Sequence, residues 1–227
     1  MYRKIVLLAA ALLTSVLCLA GTPSRSPISP FQYGHRWYFA LQGGATTLMG
    51  ENADSYSANG QVWDRVGYSG QLTIGYNLSD GYEIRLSGSY NNNAGALLPY
   101  AGFYPYRFNA YHVFVDGVVN FHGLAEYNVA FSPKVYVGLG GAFTNGFKKQ
   151  FEQNHPYQYT EEPNLVPGFR FGGIFEFDAP GGFGWFIDAG FEFFTDWYNG
   201  LDPADFPFDI TPKLSLGIVY HFPAPRR

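Results

Sequence analysis

Residues 213–222 read KLSLGIVYHF. Leu214, Leu216, Ile218, Tyr220 and Phe222 alternate with Lys213, Ser215, Gly217, Val219 and His221. Side chains in a strand point to opposite faces with a period of two, so this stretch is a strand with one apolar face. The same alternation recurs along the chain and predicts eight strands, each roughly 9–13 residues long, close to what a tilted membrane strand needs. They are Trp37–Thr47, Tyr68–Leu78, Tyr82–Asn92, Ala110–Phe121, Pro133–Phe143, Val166–Asp178, Phe183–Thr195 and Ile210–Phe222. Gly, Asn, Asp and Pro punctuate the gaps.

The charges decide what the two faces are. One register holds Leu72, Ile74, Tyr76; Ile84, Leu86, Tyr90; Val113, Val115, Val119; Val135, Val137, Leu139; Phe169, Phe171, Phe175; Ile187, Phe191, Phe193; and Leu214, Leu216, Ile218. The other holds Gln71, Thr73, Arg85, Ser87, Ser89, Asp116, Asn120, Arg170, Glu176, Asp188, Glu192 and Lys213. An Arg or Lys on the lipid face at mid-membrane costs about 2–4 kcal/mol, which explains the sorting. A soluble barrel of the lipocalin kind is apolar inside and polar outside. A continuous apolar exterior is an aggregation hazard in water and a requirement in lipid.

Composition agrees. Aromatic residues make up 19% and charged residues 14%, with 28 Gly and a mean hydropathy of −0.10. No apolar run after the N-terminus is long enough for a membrane helix, which excludes a helical membrane protein. Basic residues are not clustered, so no nucleic-acid partner is expected. Residues 1–20 (MYRKIVLLAAALLTSVLCLA) read as a signal peptide: Arg3 and Lys4 are basic, Ile5–Leu12 is apolar, and Cys18-Leu19-Ala20 precedes the cleavage point. Cys18 is the single cysteine and is expected to leave with the signal peptide, so neither disulfides nor cysteine-based zinc sites are expected. Residues 21–35 form a periplasmic N-terminal segment, 36–222 the barrel and 223–227 a short tail.

The gaps also sort by length. Met49–Gly67, Asn93–Asn109, Thr144–Leu165 and Asp196–Asp209 are long, whereas Ser79–Gly81 and Ala179–Gly182 are short and His122–Ser132 is intermediate. The long gaps are the first, third, fifth and seventh, so all four lie on one side and both termini on the other. Outer-membrane barrels have short periplasmic turns and longer extracellular loops. Aromatics at both ends of the outward register read as two interfacial girdles. Tyr76, Tyr82, Phe121, Phe177, Trp185, Tyr220 and Phe222 form one, and Tyr68, Tyr90, Tyr111, Phe143, Phe169 and Phe193 the other.

With these strands in place, the chain resembles the small outer-membrane β-barrel family that includes the OmpA-type transmembrane domain and OmpX-like proteins. The resemblance covers about residues 36–222. It is carried by YHVFVDGVVNF (Tyr111–Phe121), VYVGLGGAF (Val135–Phe143) and the terminal LSLGIVYHF. It implies an all-β, eight-stranded, antiparallel up-and-down transmembrane barrel in the bacterial outer membrane, reached after export to the periplasm. It also implies that Leu214, Leu216, Ile218, Tyr220 and Phe222 carry the terminal signal read by the barrel-assembly machinery. Outer-membrane lipid, lipopolysaccharide and an extracellular or envelope protein are the partners it suggests.

The inward charges are the first candidate site. Turns centred on Asp80 and Gly181 place Arg85 opposite Gly75 and Arg170 opposite Glu192, with Asp116 on the strand after Arg85. An eight-stranded interior is just wide enough to be filled by side chains. Arg85, Asp116, Arg170, Glu176, Asp188, Glu192 and Lys213 are therefore expected to form a polar network that plugs the lumen; an ion path is the alternative. A lipid A-modifying enzyme is the reading of a different class. It needs a His with a Ser and an acid near the outer rim. His112 lies near that rim but points inward, with no Ser evidently beside it, and no GxSxG or HExxH motif is present. No catalytic, cofactor or metal residues are assigned. The loops are the second candidate. LLPYAGFYPYRF (Leu97–Phe108) and Trp197-Tyr198 present Tyr100, Phe103, Tyr104, Tyr106, Trp197 and Tyr198 as a recognition surface.

Overall fold

The computed structural model describes residues 37–49, 66–79, 81–97, 104–121, 131–146, 163–178, 182–195, 197–200 and 208–222. The signal peptide, the 21–35 segment and the tail lie outside them. Eight antiparallel strands run in chain order: β1 (Trp37–Thr47), β2 (Val66–Asn77), β3 (Tyr82–Leu97), β4 (Tyr104–Asn120), β5 (Phe131–Asn145), β6 (Asn164–Asp178), β7 (Phe183–Thr195) and β8 (Phe208–His221). Each pairs with its neighbours in sequence, and β1 pairs with β8, so the sheet closes into a barrel with no free edge.

The register fixes the shape. Following cross-strand partners from Phe39 through Ile74, Leu86, Val115, Leu139, Phe169, Phe193 and Ile210 returns to the first strand at Met49, a stagger of 49 − 39 = 10 residues. With eight strands about 4.8 Å apart and a rise of about 3.3 Å per residue, that stagger tilts the strands by about 40° and sets a radius of about 8 Å. Each residue then climbs the barrel by about 2.5 Å, so about ten residues cross the apolar band of roughly 25 Å.

The barrel surface is inverted relative to a soluble one. Val137, Leu139, Leu214, Leu216 and Ile218 are each at least 58% exposed, whereas Asp116, Arg170, Glu192 and Lys213 are buried in the lumen. All the outward residues named from the sequence are exposed or half-exposed, and all the inward ones are buried. Arg107 is the one charged side chain seen on the outward face among the described residues. It stands at the loop end of β4, where its guanidinium donates to Asn92 (3.1 Å) and to the Val66 carbonyl (3.4 Å).

Both aromatic girdles are present. Trp37–Tyr76 (4.8 Å), Phe177–Trp185 (4.0 Å) and Phe183–Tyr220 (4.7 Å) belong to the short-turn end. Tyr68, Tyr90, Tyr111 and Phe143 form a continuous row across four strands at the loop end, with centroids 6.2, 5.4 and 6.4 Å apart. On β6 and β7, Phe171 and Phe191 fill the middle as well, so the girdles merge on that side.

Two expectations are corrected. The Asn93–Asn109 gap is largely strand: β3 runs to Leu97 and β4 starts at Tyr104, paired all the way. Among the described residues, the part of this hairpin beyond Asn92 and Asn109 pairs only with itself, so it has no neighbouring strand to impose a two-faced pattern. The lumen is also less uniformly polar than alternation implied. Inward Tyr38, Phe108, Phe114, Tyr136, Ile174, Phe186 and Phe194 are buried apolar or aromatic side chains.

Candidate functional site: the lumen and its outer mouth

Large inward rings fit because glycines face them. Tyr38 lies over its β2 partner Gly75, and Phe186 over Gly217. A Cβ on Gly172 would come within 2.5 Å of the Tyr136 hydroxyl. Sequence alternation shows that these glycines point inward; it does not show which ring each one accommodates.

The filling is layered. At the short-turn end Lys134 Nζ bridges Glu83 and Glu176, at 2.8 Å each. His221 Nε2 meets Glu176 at 2.7 Å, and the Tyr38 hydroxyl donates to Glu83 at 3.1 Å. Above it lies an apolar layer of Ala40, Val118, Ile174, Phe186 and Val219 with the Tyr136 ring. Between these layers is a cavity of about 20 Å³, lined by Glu83, Arg85, Lys134, Glu176 and their neighbours. That is room for a single water molecule, not for a channel.

The middle belongs to Asp116. Its carboxylate accepts from Arg85 Nε (2.5 Å) and from Arg170 Nε and Nη2 (2.7 Å each). Asp116 and Arg170 are on β4 and β6, with β5 between them. Gly138 is the β5 residue paired to both, and a Cβ there would collide with the Asp116 carboxylate. A glycine thus lets the ion pair span a strand. Arg170 also donates to Ser87, to Gln71 (3.4 Å) and to Glu192 (3.4 Å), and its guanidinium lies 4.5 Å over the Phe114 ring. Arg85 stacks 4.1 Å over Tyr136, whose hydroxyl donates to Asp188 at 2.9 Å; Gln42 donates to the other Asp188 oxygen. Lys213 donates to Gln71 at 2.6 Å and stands 3.9 Å from Glu192. The seven lumen residues named from the sequence therefore divide. Arg85, Asp116, Arg170, Glu192, Asp188 and Lys213 share the central and outer layers, whereas Glu176 joins the inner cluster. Glu83 and Lys134 were missed, although strand parity alone places both inward. Asp209 was missed because β8 starts two residues earlier than its alternation suggests.

At the outer mouth His112 Nδ1 faces Glu192 at 2.9 Å, and its Nε2 faces the Tyr198 hydroxyl at 2.9 Å. Asn93 donates to the same hydroxyl at 2.6 Å. Asn91 Nδ2 also lies 2.7 Å from His112 Nδ1, so that nitrogen stands between an amide donor and the Glu192 carboxylate, while Nε2 stands against the Tyr198 hydroxyl. Ser89 is the cross-strand partner of His112, which corrects the expectation that no serine lies beside it. Both imidazole nitrogens are nevertheless engaged elsewhere, and the group is enclosed in the lumen.

Tyr198 requires a correction of its own. It was expected on an exposed recognition loop, yet it is 0% exposed. The chain turns at Trp197, with φ +82°, and drops the Tyr198 ring into the mouth. There it stacks on Phe194 (4.1 Å, 7°) and meets Phe108 edge-on (5.3 Å). Apolar stacking inside the barrel outweighs exposure of the ring to water. Leu48, Ala110, Phe114, Ala142 and Val166 complete this outer apolar seal. Phe108, also expected in a loop, is part of it. Trp197 is 39% exposed. Tyr100 and Phe103 lie outside the described residues, and Tyr104 and Tyr106 are strand residues of β4 whose side chains lie outside them. Leu214, Leu216, Ile218, Tyr220 and Phe222 all face outward, and the Phe222 amide donates to the Trp37 carbonyl (2.9 Å), tying the end of β8 to β1.

No family model matches the chain, and no curated protein matches it in sequence. Among solved structures it is similar to neisserial surface protein A (13% identity, TM-score 0.47, covering 82% of this chain and 97% of that one). It is also similar to the attachment invasion locus protein Ail of Yersinia pestis (15%, 0.45, 83% and 99%) and to the outer membrane protein OprG of Pseudomonas aeruginosa (15%, 0.46, 84% and 98%). What marks this barrel as a membrane barrel is its own inverted surface, with lipid-compatible side chains outside and ion pairs within. The chain is an eight-stranded, antiparallel, up-and-down transmembrane β-barrel with a filled lumen, the architecture of the small outer-membrane barrels.

Proposed function

We propose that the protein is a closed outer-membrane scaffold whose role is structural, or recognition of a surface partner through its extracellular loops. The carrying observation is the filling of the lumen. An inner ion cluster, an apolar layer, the Asp116 network and the Tyr198 seal succeed one another along the axis, and the cavity between the inner layers holds about 20 Å³. A barrel so filled is not built to pass solutes, which leaves its surface as the working part.

In this reading residues 1–20 are removed on export. The outward Leu214–Phe222 register is read by the barrel-assembly machinery, and the aromatic rows settle the barrel among outer-membrane lipid and lipopolysaccharide. The polar network of Arg85, Asp116, Arg170, Glu176, Asp188, Glu192 and Lys213 holds the wall together from inside. The loop aromatics Tyr100, Phe103, Tyr104, Tyr106 and Trp197 are the candidate contact residues; Tyr198 leaves that set. A lipid A-modifying role finds little support, because His112 lies inside the lumen while acyl chains lie outside it.

The test is conductance of the purified barrel in a planar bilayer, together with capture of envelope or host components by whole barrels with residues 98–103 or 147–162 deleted. Absence of large stable channels, with capture lost on loop deletion, is the expected result. Long-lived open channels in the wild-type barrel refute the closed scaffold.

A further inference from the structure

The Tyr198 pocket belongs to the wall, not to the loop that fills it. Asn93 comes from β3, Phe108 and His112 from β4, and Phe194 from β7, so its stacking floor, its edge contact and both hydroxyl partners stand on paired strands. The occupant arrives through Trp197, whose left-handed φ of +82° is unusual and strained for a bulky residue. The turn is held by Gly200 N to the Trp197 carbonyl (3.2 Å), Asn164 to the same carbonyl (3.1 Å) and Asn199 to Asp209 (2.8 Å).

Among the described residues, the buried wall hydroxyls of Ser89, paired across from His112, and of Thr144, near the outer end of β5, make no hydrogen bond. Buried polar groups in native proteins nearly always have partners, so such groups require explanation. Below the pocket, Arg170 and Asp116 form a separate floor, so emptying it does not breach the barrel. Burial raises the Tyr198 hydroxyl well above the ordinary tyrosine value, so the group held there is a neutral phenol.

We propose that the outer end of the lumen is a binding site for a phenolic ring, and that Tyr198 occupies it from within as a displaceable lid. A ligand presenting a hydroxyphenyl group from outside stacks on Phe194, places its hydroxyl between Asn93 and His112, and releases the strained Trp197 turn. The site's chemistry follows from the wall residues and does not depend on what the other loops recognise.

The probe is N-acetyl-tyrosinamide, with N-acetyl-phenylalaninamide as the control that lacks the hydroxyl. The reporter is Ser89→Cys in full-length protein carrying Cys18→Ser, labelled with a charged, water-soluble thiol reagent. Adding Tyr198→Ala is expected to speed labelling at least tenfold. N-acetyl-tyrosinamide at millimolar concentration is expected to protect, and the phenylalanine compound to protect at least fivefold less. No acceleration in a folded Tyr198→Ala barrel, or equal protection by both compounds, overturns the proposal. If Tyr198→Ala fails the heat-shift test for a folded barrel, Tyr198→Phe takes its place. It keeps the ring and loses only the hydroxyl contacts, so labelling must still rise, and an unchanged rate overturns the proposal.

Discussion

Replacing Asp116 with Asn keeps the volume of the side chain and removes the charge that two guanidinium groups share. Asp116 is fully buried and makes three charge-assisted hydrogen bonds of 2.5–2.7 Å. Arg170 retains Glu192, Gln71 and Ser87 after the change. Arg85 keeps only its stacking on Tyr136 among the contacts seen here, and its Nη2 makes no hydrogen bond even in the intact protein. Removing one partner of a buried ion pair costs about 3–5 kcal/mol, because the other charge stays buried and uncompensated. The folded-to-unfolded ratio should therefore fall by roughly two to four orders of magnitude. Adding Arg170→Met removes one of the two cations that shared the lost carboxylate. The double variant should then be more stable than the sum of the single losses predicts, with a coupling of at least about 1 kcal/mol. The assay is reversible urea unfolding in lipid vesicles, followed by tryptophan fluorescence and by the heat-dependent shift in gel mobility. A loss under about 1 kcal/mol for Asp116→Asn, with additive behaviour in the double variant, would show that the network does not hold the wall and would refute the reasoning.

Lipid exposure makes a depth-dependent prediction. Val137→Arg, on the outward face near mid-barrel, should cost about 2–4 kcal/mol in vesicles, and Leu165→Arg at the loop-end rim about 0–1 kcal/mol. Equal costs would contradict the membrane placement. The glycines separate by face: Gly75→Ala drives a methyl into the Tyr38 ring and should destabilise by about 1–3 kcal/mol. Gly70→Ala points into open space on the lipid side and should change little; similar urea midpoints for the two would refute the ring-on-glycine packing. Finally, Tyr220→Ala with Phe222→Ala should slow insertion catalysed by the assembly machinery in reconstituted membranes, while the refolded barrel keeps nearly its wild-type urea midpoint. Unchanged insertion kinetics would remove the terminal-signal role.

The sequence made the wall legible and its filling only partly so, and the reason is the difference between local and non-local information. Strand parity is a property of consecutive residues, so Val137 and Leu216 reveal an outward face and Arg85 and Arg170 an inward one without any knowledge of the barrel. Turn arithmetic extends this to the nearest strand: Arg170 opposite Glu192 and Arg85 opposite Gly75 both follow from short turns. It fails one strand further on. The contact of Asp116 with Arg170 crosses β5 and depends on Gly138 being small. Lys134 joins Glu83 and Glu176, of which Glu83 is two strands away through the lumen. Ten residues of stagger around the circuit set which side chains share a level, and that number emerges only when β8 meets β1.

Tyr198 was misread for a related reason. A tyrosine in a gap between strands looks like surface when the chain is read in one dimension, because nothing local announces that Phe194, Phe108 and His112 surround an opening the size of its ring. The local signal that did exist was the backbone at Trp197, a left-handed turn at a bulky residue that dihedral angles show and composition does not. A closed eight-stranded wall must fill its centre, and at an outer mouth about 8 Å in radius the nearest unassigned ring is the one that the adjoining turn supplies. The residue that composition assigns to recognition therefore fills the mouth of the barrel from within.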